Sequence, residues 1–141
     1  MRRLIPAFSA LLLIASVAPT TMADEKLRKD VRAFTAMSNL AYMNCASEVA
    51  AAAAQARLMD RPVGVGQSEC EVRAKAEAEV TFADLKARLA ASPGATSLLN
   101  DYYAFWLAYM RAIGPTISRR EAMLRFDKLE ERSERLGVEV Q

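Results

Sequence analysis

Residues 98–113, LLNDYYAFWLAYMRAI, decide the fold. They include half of the aromatic residues of the chain and its only tryptophan. Plotted at 100° per residue, their apolar side chains cover roughly half of a helix circumference. These side chains are Leu98, Leu99, Tyr102, Tyr103, Phe105, Trp106, Leu107, Tyr109, Met110 and Ile113. A helix this widely apolar packs between other helices, so the rest of the chain is expected to surround it.

Residues 24–60 have the pattern of a long first helix. Apolar residues recur there at steps of three and four, and residues 50–54 are all alanine, the strongest helix former. Unbroken, this helix would be about 55 Å long, more than the diameter of so small a domain. We therefore expect either a break near Ser38 and Asn39 or an end that projects from the bundle. Asn39 is expected on the water-exposed side of this helix, together with Asn44 and Glu48.

A capping box begins the second helix. Ser68 precedes Glu71 by three residues, the spacing at which the serine oxygen accepts from the first turn and the glutamate reaches back. The box follows a loop with proline and glycine at 61–67, and the sequence Ser-Pro-Gly at 92–94 is expected to break the helix. The inner stripe of this helix is predicted to be Cys70, Ala74, Ala78, Phe82, Leu85 and Leu89.

Local signals also bound the last two helices. Thr96 or Ser97 is expected to cap the aromatic helix, and the Gly-Pro pair at 114–115 to end it. A second capping box at 118–121 begins a fourth helix, which is expected to end at Gly137. Its apolar stripe is narrow and the remaining positions are dense in alternating charge, so this helix should lie on the outside.

The predicted fold is therefore all-α. It is a small antiparallel four-helix arrangement in which the helix at 98–113 is central, the first helix is long and either intact or broken, and one disulfide joins two helices. No segment alternates apolar and polar residues as a strand would. The roughly 118 residues at 24–141 suit a single helical domain with one core.

The N-terminal 23 residues have the composition of a secretory signal peptide. Arg2 and Arg3 precede an apolar run of about 15 residues, and small residues stand ahead of Asp24. The run is shorter than the ~20 residues of a membrane helix and contains Pro6. We expect cleavage after Ala23 and a periplasmic or secreted protein without stable membrane insertion. An uncleaved membrane anchor is the alternative.

Removal of this segment changes the charge balance. Of the 19 lysines and arginines, Arg2 and Arg3 leave with it, while all 17 aspartates and glutamates remain. The processed chain is then neutral, and no block of basic residues stands out along it. Its net charge therefore provides no reason to expect nucleic acid or an anionic membrane as a partner.

The two cysteines constrain the topology. Export brings Cys45 and Cys70 into an oxidising compartment, so a disulfide between them is expected, with two buried thiols as the alternative. A tight hairpin would place Cys70 opposite residues near Met59, and Cys45 would then lie beyond the ~7 Å limit on Cα separation. Either the first helix is broken, or the loop at 61–67 runs back along residues 50–56.

The sequence contains no strong catalytic or metal-binding pattern. The absence of histidine removes Ser–His and Cys–His pairs, and the spacings typical of zinc, calcium and covalent haem do not occur. Scattered single methionines are typical of core filling rather than of a copper site. We therefore expect neither an enzyme nor a bound cofactor.

The aromatic helix supplies the candidate binding residues. Tyr102, Tyr103, Trp106 and Tyr109 each combine an apolar body with a polar tip, and such side chains are enriched at interfaces. If some of them protrude, they would form a groove for an apolar ligand or an anchor for a partner protein. Otherwise the helix is a core helix with its hydroxyls at the rim.

Two classes of function fit these features. The first is a non-enzymatic exported protein acting by protein–protein interaction, as an inhibitor, immunity-type protein, chaperone or regulator. Its expected partner is another protein of the cell envelope or a second copy of the chain in a homodimer. The second class is a carrier of a small apolar ligand in a pocket lined by the helix at 98–113. A carrier should hold an enclosed cavity beside Trp106, whereas an interaction protein should have a solid core and an exposed apolar patch.

Overall fold

The structure is a computed structural model that describes residues 22–64 and 68–140. It consists of four helices: α1 (Met22–Leu58), α2 (Glu69–Arg88), α3 (Pro93–Arg111) and α4 (Arg119–Glu139). The predicted all-α four-helix arrangement is confirmed. The predicted signal peptide at 1–23 lies outside the described residues except for its last two, which begin α1. None of the four described helices is both long enough and apolar enough to cross a membrane.

Consecutive helices run antiparallel, and the two in the middle, α1 and α3, run parallel, with Phe34 beside Tyr102 and Tyr42 beside Tyr109. Each of these two contacts all three other helices, whereas α2 and α4 lie on opposite sides and, over the described residues, do not touch. The end of α2 meets the start of α1 where Arg88 Nη2 lies 2.8 Å from Asp30 Oδ2. On the other side, Arg132 of α4 lies 3.6 Å from Asp101 of α3, and its guanidinium covers the Phe105 ring. The central position predicted for the aromatic helix is therefore shared with α1.

The hydrophobic core runs along the line where α1 and α3 meet. Its largest fully buried side chains come from all four helices: Trp106, Tyr42, Tyr102, Leu85, Leu99, Met110, Leu129 and Leu136. In α3 the buried stripe passes through Ala95, Leu99 and Met110, while Leu98, Phe105 and Ile113 are only partly buried. The buried part of the wide apolar arc predicted for this helix is thus the side that carries Leu99, Tyr102, Trp106 and Met110.

Of the two alternatives for the long first helix, the break is not formed, since α1 is continuous over 37 residues. Ser38 and Asn39, where the break was expected, are buried inside the helix at 4% and 5% exposure. The other expectation holds: the end of α1 extends past α2. Residues 51, 52 and 54 are exposed alanines, and Leu58 is 89% exposed.

The disulfide between Cys45 and Cys70 is confirmed, with a Cα–Cα distance of 5.5 Å. Cys70 is the second residue of α2, whereas Cys45 lies 13 residues before the end of α1. The connection from Leu58 to Ser68 must therefore return by about 20 Å along α1. Of the two topologies compatible with the cysteines, the one with an intact first helix is formed.

The helix boundaries confirm some local signals and correct others. Ser68 Oγ and Ser118 Oγ each accept a hydrogen bond of 3.1 Å from the backbone N–H three residues on, as the capping boxes predict. The start predicted for α3 is wrong, because the helix begins at Pro93, whose fixed φ suits a first helical position. Thr96 caps no N-terminus; its hydroxyl donates to the Leu89 carbonyl at 2.7 Å and satisfies the end of α2.

The predicted end of α4 at Gly137 is also wrong, since the helix continues to Glu139. Glycine ends a helix when the backbone must turn left-handed, and Gly137 does not have a positive φ. The Val140 N–H instead bonds to the Leu136 carbonyl at 3.2 Å. Burial of Leu136 keeps this last turn against the core.

Removal of the disulfide should lower stability without changing the fold. We expect the double variant Cys45→Ala/Cys70→Ala to lose about 3 kcal/mol of unfolding free energy, because a loop of this length is no longer closed in the unfolded chain. Urea unfolding of the variant and of the parent, with and without reductant, measures this loss. An unchanged urea midpoint for the variant would contradict it.

Gly137→Ala should raise stability by about 0.5–1 kcal/mol, because alanine loses less backbone entropy in a helix. A methyl group at this position meets no heavy atom within 4 Å, so no clash opposes the gain. The change in urea midpoint gives the sign. A decrease of similar size would mean that the helix ends at Gly137 in a left-handed conformation.

Candidate functional site

Two of the predicted binding residues are enclosed between α3 and α1. Tyr102 and Trp106 each have 0% exposure. The Tyr102 hydroxyl lies 2.7 Å from Asn39 Oδ1 and 3.0 Å from the Thr35 carbonyl oxygen, so both acceptors are within reach of its single O–H. Trp106 Nε1 donates to the Ser38 carbonyl at 2.7 Å. Both polar tips are therefore satisfied inside the protein and not at its rim.

These bonds explain one polar residue in the middle of α1, because Asn39 accepts through its side chain, whereas Thr35 and Ser38 accept through their backbone carbonyls. Thr35, Ser38 and Asn39 lie on the α1 face that packs on α3, and Asn39 is not on the water-exposed side as the sequence suggested. A buried phenol or indole needs an acceptor, and a buried amide oxygen needs a donor. Burial raises the pKa of Tyr102 far above its usual value, so the hydroxyl remains a donor.

The other two predicted residues are half-buried and face different neighbours. Tyr103 stacks on Phe82 of α2 with ring centroids 4.0 Å apart, and on Trp106 at 5.8 Å. Tyr109 packs 6.2 Å from Tyr42 of α1 on the side towards α4. The fold thus brings Tyr103 and Trp106 together and leaves Tyr109 apart. A common binding surface for the four residues is not formed, and a binding role for any one of them stays a prediction.

A groove between α1 and α2 has more apolar surface in its lining than three other recesses among the described residues, although it is not the largest of the four. It encloses about 410 Å³, and α3 contributes only Trp106, which borders the floor. Most of the other lining side chains are small or apolar: Ala33, Phe34, Met37, Ala41, Ala74, Ala78, Thr81 and Leu85. Met37 is 67% exposed and Thr81 is also exposed, so the groove opens to solvent along its length.

A disulfide joins α1 to α2 at one end of this groove, and an ion pair joins them at the other end. At one end, the Cys45–Cys70 disulfide lies one helical turn beyond Ala41 and one turn before Ala74. At the other end, Arg88 donates to Asp30 at 2.8 Å and, within α2, to Asp84 at 3.1 Å. The helices are tied at both ends, while the alanines between them leave room.

The groove has the chemistry of a binding surface. Its charged groups are Asp30, Glu77, Asp84 and Arg88, so carboxylates outnumber the one cation on its rim. Over residues 22–64 and 68–140, no three side chains of the metal-ligating types are grouped as a metal site would require. Apolar contact along the walls and attraction for a cation at the rim are what this arrangement offers.

The groove was not predicted from the sequence, because its lining comes mainly from two helices, α1 and α2, that are separate along the chain. Thr81, which lies between the groove residues Ala78 and Leu85, is exposed, and its hydroxyl donates to the Glu77 carbonyl of its own helix at 3.4 Å. Such a residue does not distinguish a groove from an ordinary helix surface.

Two matched tyrosine-to-phenylalanine variants compare the loss of a hydrogen-bonded hydroxyl with the loss of one that is not hydrogen-bonded. Tyr102→Phe should cost about 2 kcal/mol, because Asn39 Oδ1 then remains buried without its donor. The Tyr42 hydroxyl is equally enclosed, and although the Arg125 guanidinium lies near it, no described group meets it with hydrogen-bond geometry. Tyr42→Phe should therefore leave the unfolding free energy unchanged or higher. Urea unfolding of both variants tests this; equal losses would contradict the hydrogen-bond assignment.

Comparison with known proteins provides no family for this arrangement. No protein-family model matches the chain, and no curated protein or solved structure matches it either. The groove, its cross-linked ends and the enclosed aromatic residues are therefore the basis on which a function is proposed.

Proposed function

We propose that the protein is a non-enzymatic exported protein that binds an apolar segment of another cell-envelope protein in the groove between α1 and α2. The observation that carries this proposal is the open groove of about 410 Å³ between two helices, which are joined by a disulfide at one end and by an ion pair at the other. Apolar surface left in contact with water in a concave site is the usual mark of a binding surface.

The size and shape of the groove suit a helical segment. Along α1 it extends from Asp30 to Ala41, about 16 Å or three turns of a helix. A bound amphipathic helix would place two or three apolar side chains, at spacings of three and four residues, against the alanine floor. The exposed Met37 would cover one side of it, since methionine adapts its shape to different partners.

The packing of the core also favours binding of another protein over transport of a small apolar ligand. Tyr102 and Trp106 use their polar atoms within the protein and fill the space between α1 and α3. No ligand could reach Tyr102 without separation of these helices. Export is supported by the disulfide, which persists in an oxidising compartment, and by the signal-like composition of residues 1–23.

A carrier of a small apolar ligand is the second candidate, and one observation favours it. The volume of the groove falls within the range of small-molecule sites, roughly 300–1,000 Å³. Phe34 and Trp106 border its floor, so a ligand there would lie near aromatic rings. The carrier expected from the sequence would hold its ligand in a pocket lined by residues 98–113. The groove is a different site, because only Trp106 of that segment borders it.

A photo-crosslinking residue in the groove should distinguish these candidates. We expect the residue at Thr81, incorporated in cells that export the protein, to yield a covalent adduct with another protein. The matched control is Ala83, which is exposed on the same helix but lies outside the groove. An adduct of a few hundred daltons at position 81 would indicate a carrier, and an adduct with a second copy would indicate a homodimer. Equal labelling from positions 81 and 83 would contradict both uses of the groove.

A blocking variant provides the second arm of this experiment. Thr81→Trp should fill the groove and abolish the adduct formed from a crosslinker at Met37, whereas Ala83→Trp should leave it unchanged. Both positions are exposed, so neither substitution should disturb the core.

A further inference from the structure

Basic and acidic residues are equal in number over residues 24–141, but the fold does not distribute them evenly. Residues 50–64 and 111–125 together contain six arginines but only two carboxylates. The rest of residues 24–141 has an excess of acidic residues that compensates for this. The arginines are Arg57, Arg61, Arg111, Arg119, Arg120 and Arg125, and the carboxylates are Asp60 and Glu121.

Two observations place these two distant segments at the same end of the bundle, and a third links α4 to the end of α3 within the second segment. Arg57 Nη2 donates to the Pro115 carbonyl at 3.4 Å and so ties the end of α1 to the α3–α4 connection. Arg119 borders a recess whose other side is formed by Ala50 of α1. Arg125 Nη1 donates to the Ala112 carbonyl at the end of α3 at 3.1 Å. We call residues 50–64 and 111–125 the arginine end.

Most of this positive charge is not neutralised within the protein. Arg125 is paired with Glu121. The other five arginines are exposed, and none has an ion-pair partner among the described residues. Exposed, unpaired guanidinium groups concentrated on one surface attract anions, and they bind phosphate oxygens in a bidentate manner.

Large apolar side chains are exposed among these arginines. Leu58 is 89% exposed and Met59 is 55% exposed, and they lie between Arg57 and Arg61 at the tip of α1. On α4, Leu124 is 53% exposed and stands one turn after Arg120. A soluble polyanion would use the arginines alone, whereas a lipid surface would use both kinds of side chain.

We propose that the arginine end binds a membrane surface containing anionic phospholipids, with guanidinium groups on the phosphates and Leu58 and Met59 in the interfacial layer. This site is separate from the groove and does not depend on the function proposed for it. The neutral net charge of the processed chain does not oppose such binding, because charges more than about 10 Å from the membrane surface are screened at 0.1 M salt.

Binding to lipid vesicles tests the proposal directly. The purified protein should co-sediment with vesicles of 30% phosphatidylglycerol in phosphatidylcholine at 0.1 M salt, bind pure phosphatidylcholine much more weakly, and dissociate at 0.5 M salt. The triple variant Arg61→Gln/Arg119→Gln/Arg120→Gln should bind at least tenfold more weakly, because each arginine at an anionic surface contributes roughly fivefold. All three positions are exposed, and Trp106 emission verifies that the core is intact.

A matched variant controls for net charge. Lys26→Gln/Arg32→Gln/Lys128→Gln removes three exposed positive charges outside the arginine end, and it should change binding by less than threefold. Leu58→Ser/Met59→Ser should weaken vesicle binding without altering the charge. Equal losses in the two triple variants, undiminished binding in the arginine variant, or equal binding to neutral vesicles would overturn the proposal. Competition by millimolar inorganic phosphate, together with unchanged binding of the Leu58/Met59 variant, would do so as well, since the site would then bind a free anion.

Discussion

The structure depends first on the buried hydrogen bonds between α3 and the middle of α1. Trp106 donates to the Ser38 carbonyl, and Tyr102 lies against Asn39 and the Thr35 carbonyl. A slide of either helix by one turn would leave an indole, a phenol and an amide buried without partners, each at a cost of about 1–3 kcal/mol. These bonds therefore fix the register of the two central helices, whereas apolar packing alone would tolerate several registers.

The second constraint is the offset that the disulfide imposes on α2. Because Cys70 at the start of α2 is joined to Cys45 in the middle of α1, α2 runs back along the first half of α1 to the Asp30–Arg88 pair. Two consequences follow from this one offset. The alanine faces of α1 and α2 lie together with a groove between them, and the last turns of α1 extend beyond α2 to carry the arginines of the tip.

Much of the fold could be predicted from the sequence, because its signals were local or periodic. The serines at the starts of α2 and α4, the disulfide and the central place of the aromatic helix all follow from such signals. Pro93 and Gly137 were misinterpreted because each residue suits two positions: proline breaks one helix and can begin the next, and glycine in open space need not end a helix. The choice between a break at Ser38 and Asn39 and an intact helix could not be made from local signals. Both residues lie against α3, where the Ser38 carbonyl accepts from Trp106 and the Asn39 side chain from Tyr102, more than sixty residues away.

Neither proposed site could be predicted from the sequence, because each is formed by segments that are distant from each other along the chain. The groove requires that α1 and α2 be held at their ends and apart between them, and the arginine end requires that residues 50–64 meet residues 111–125. The disulfide lies between the two sites on α1. About 25 Å separates Ala41 at the edge of the groove from Leu58 at the tip. If the arginine end binds a lipid surface, the groove would thus lie away from the headgroups and open towards the side of the bundle. A segment of a second envelope protein could enter it there without leaving water.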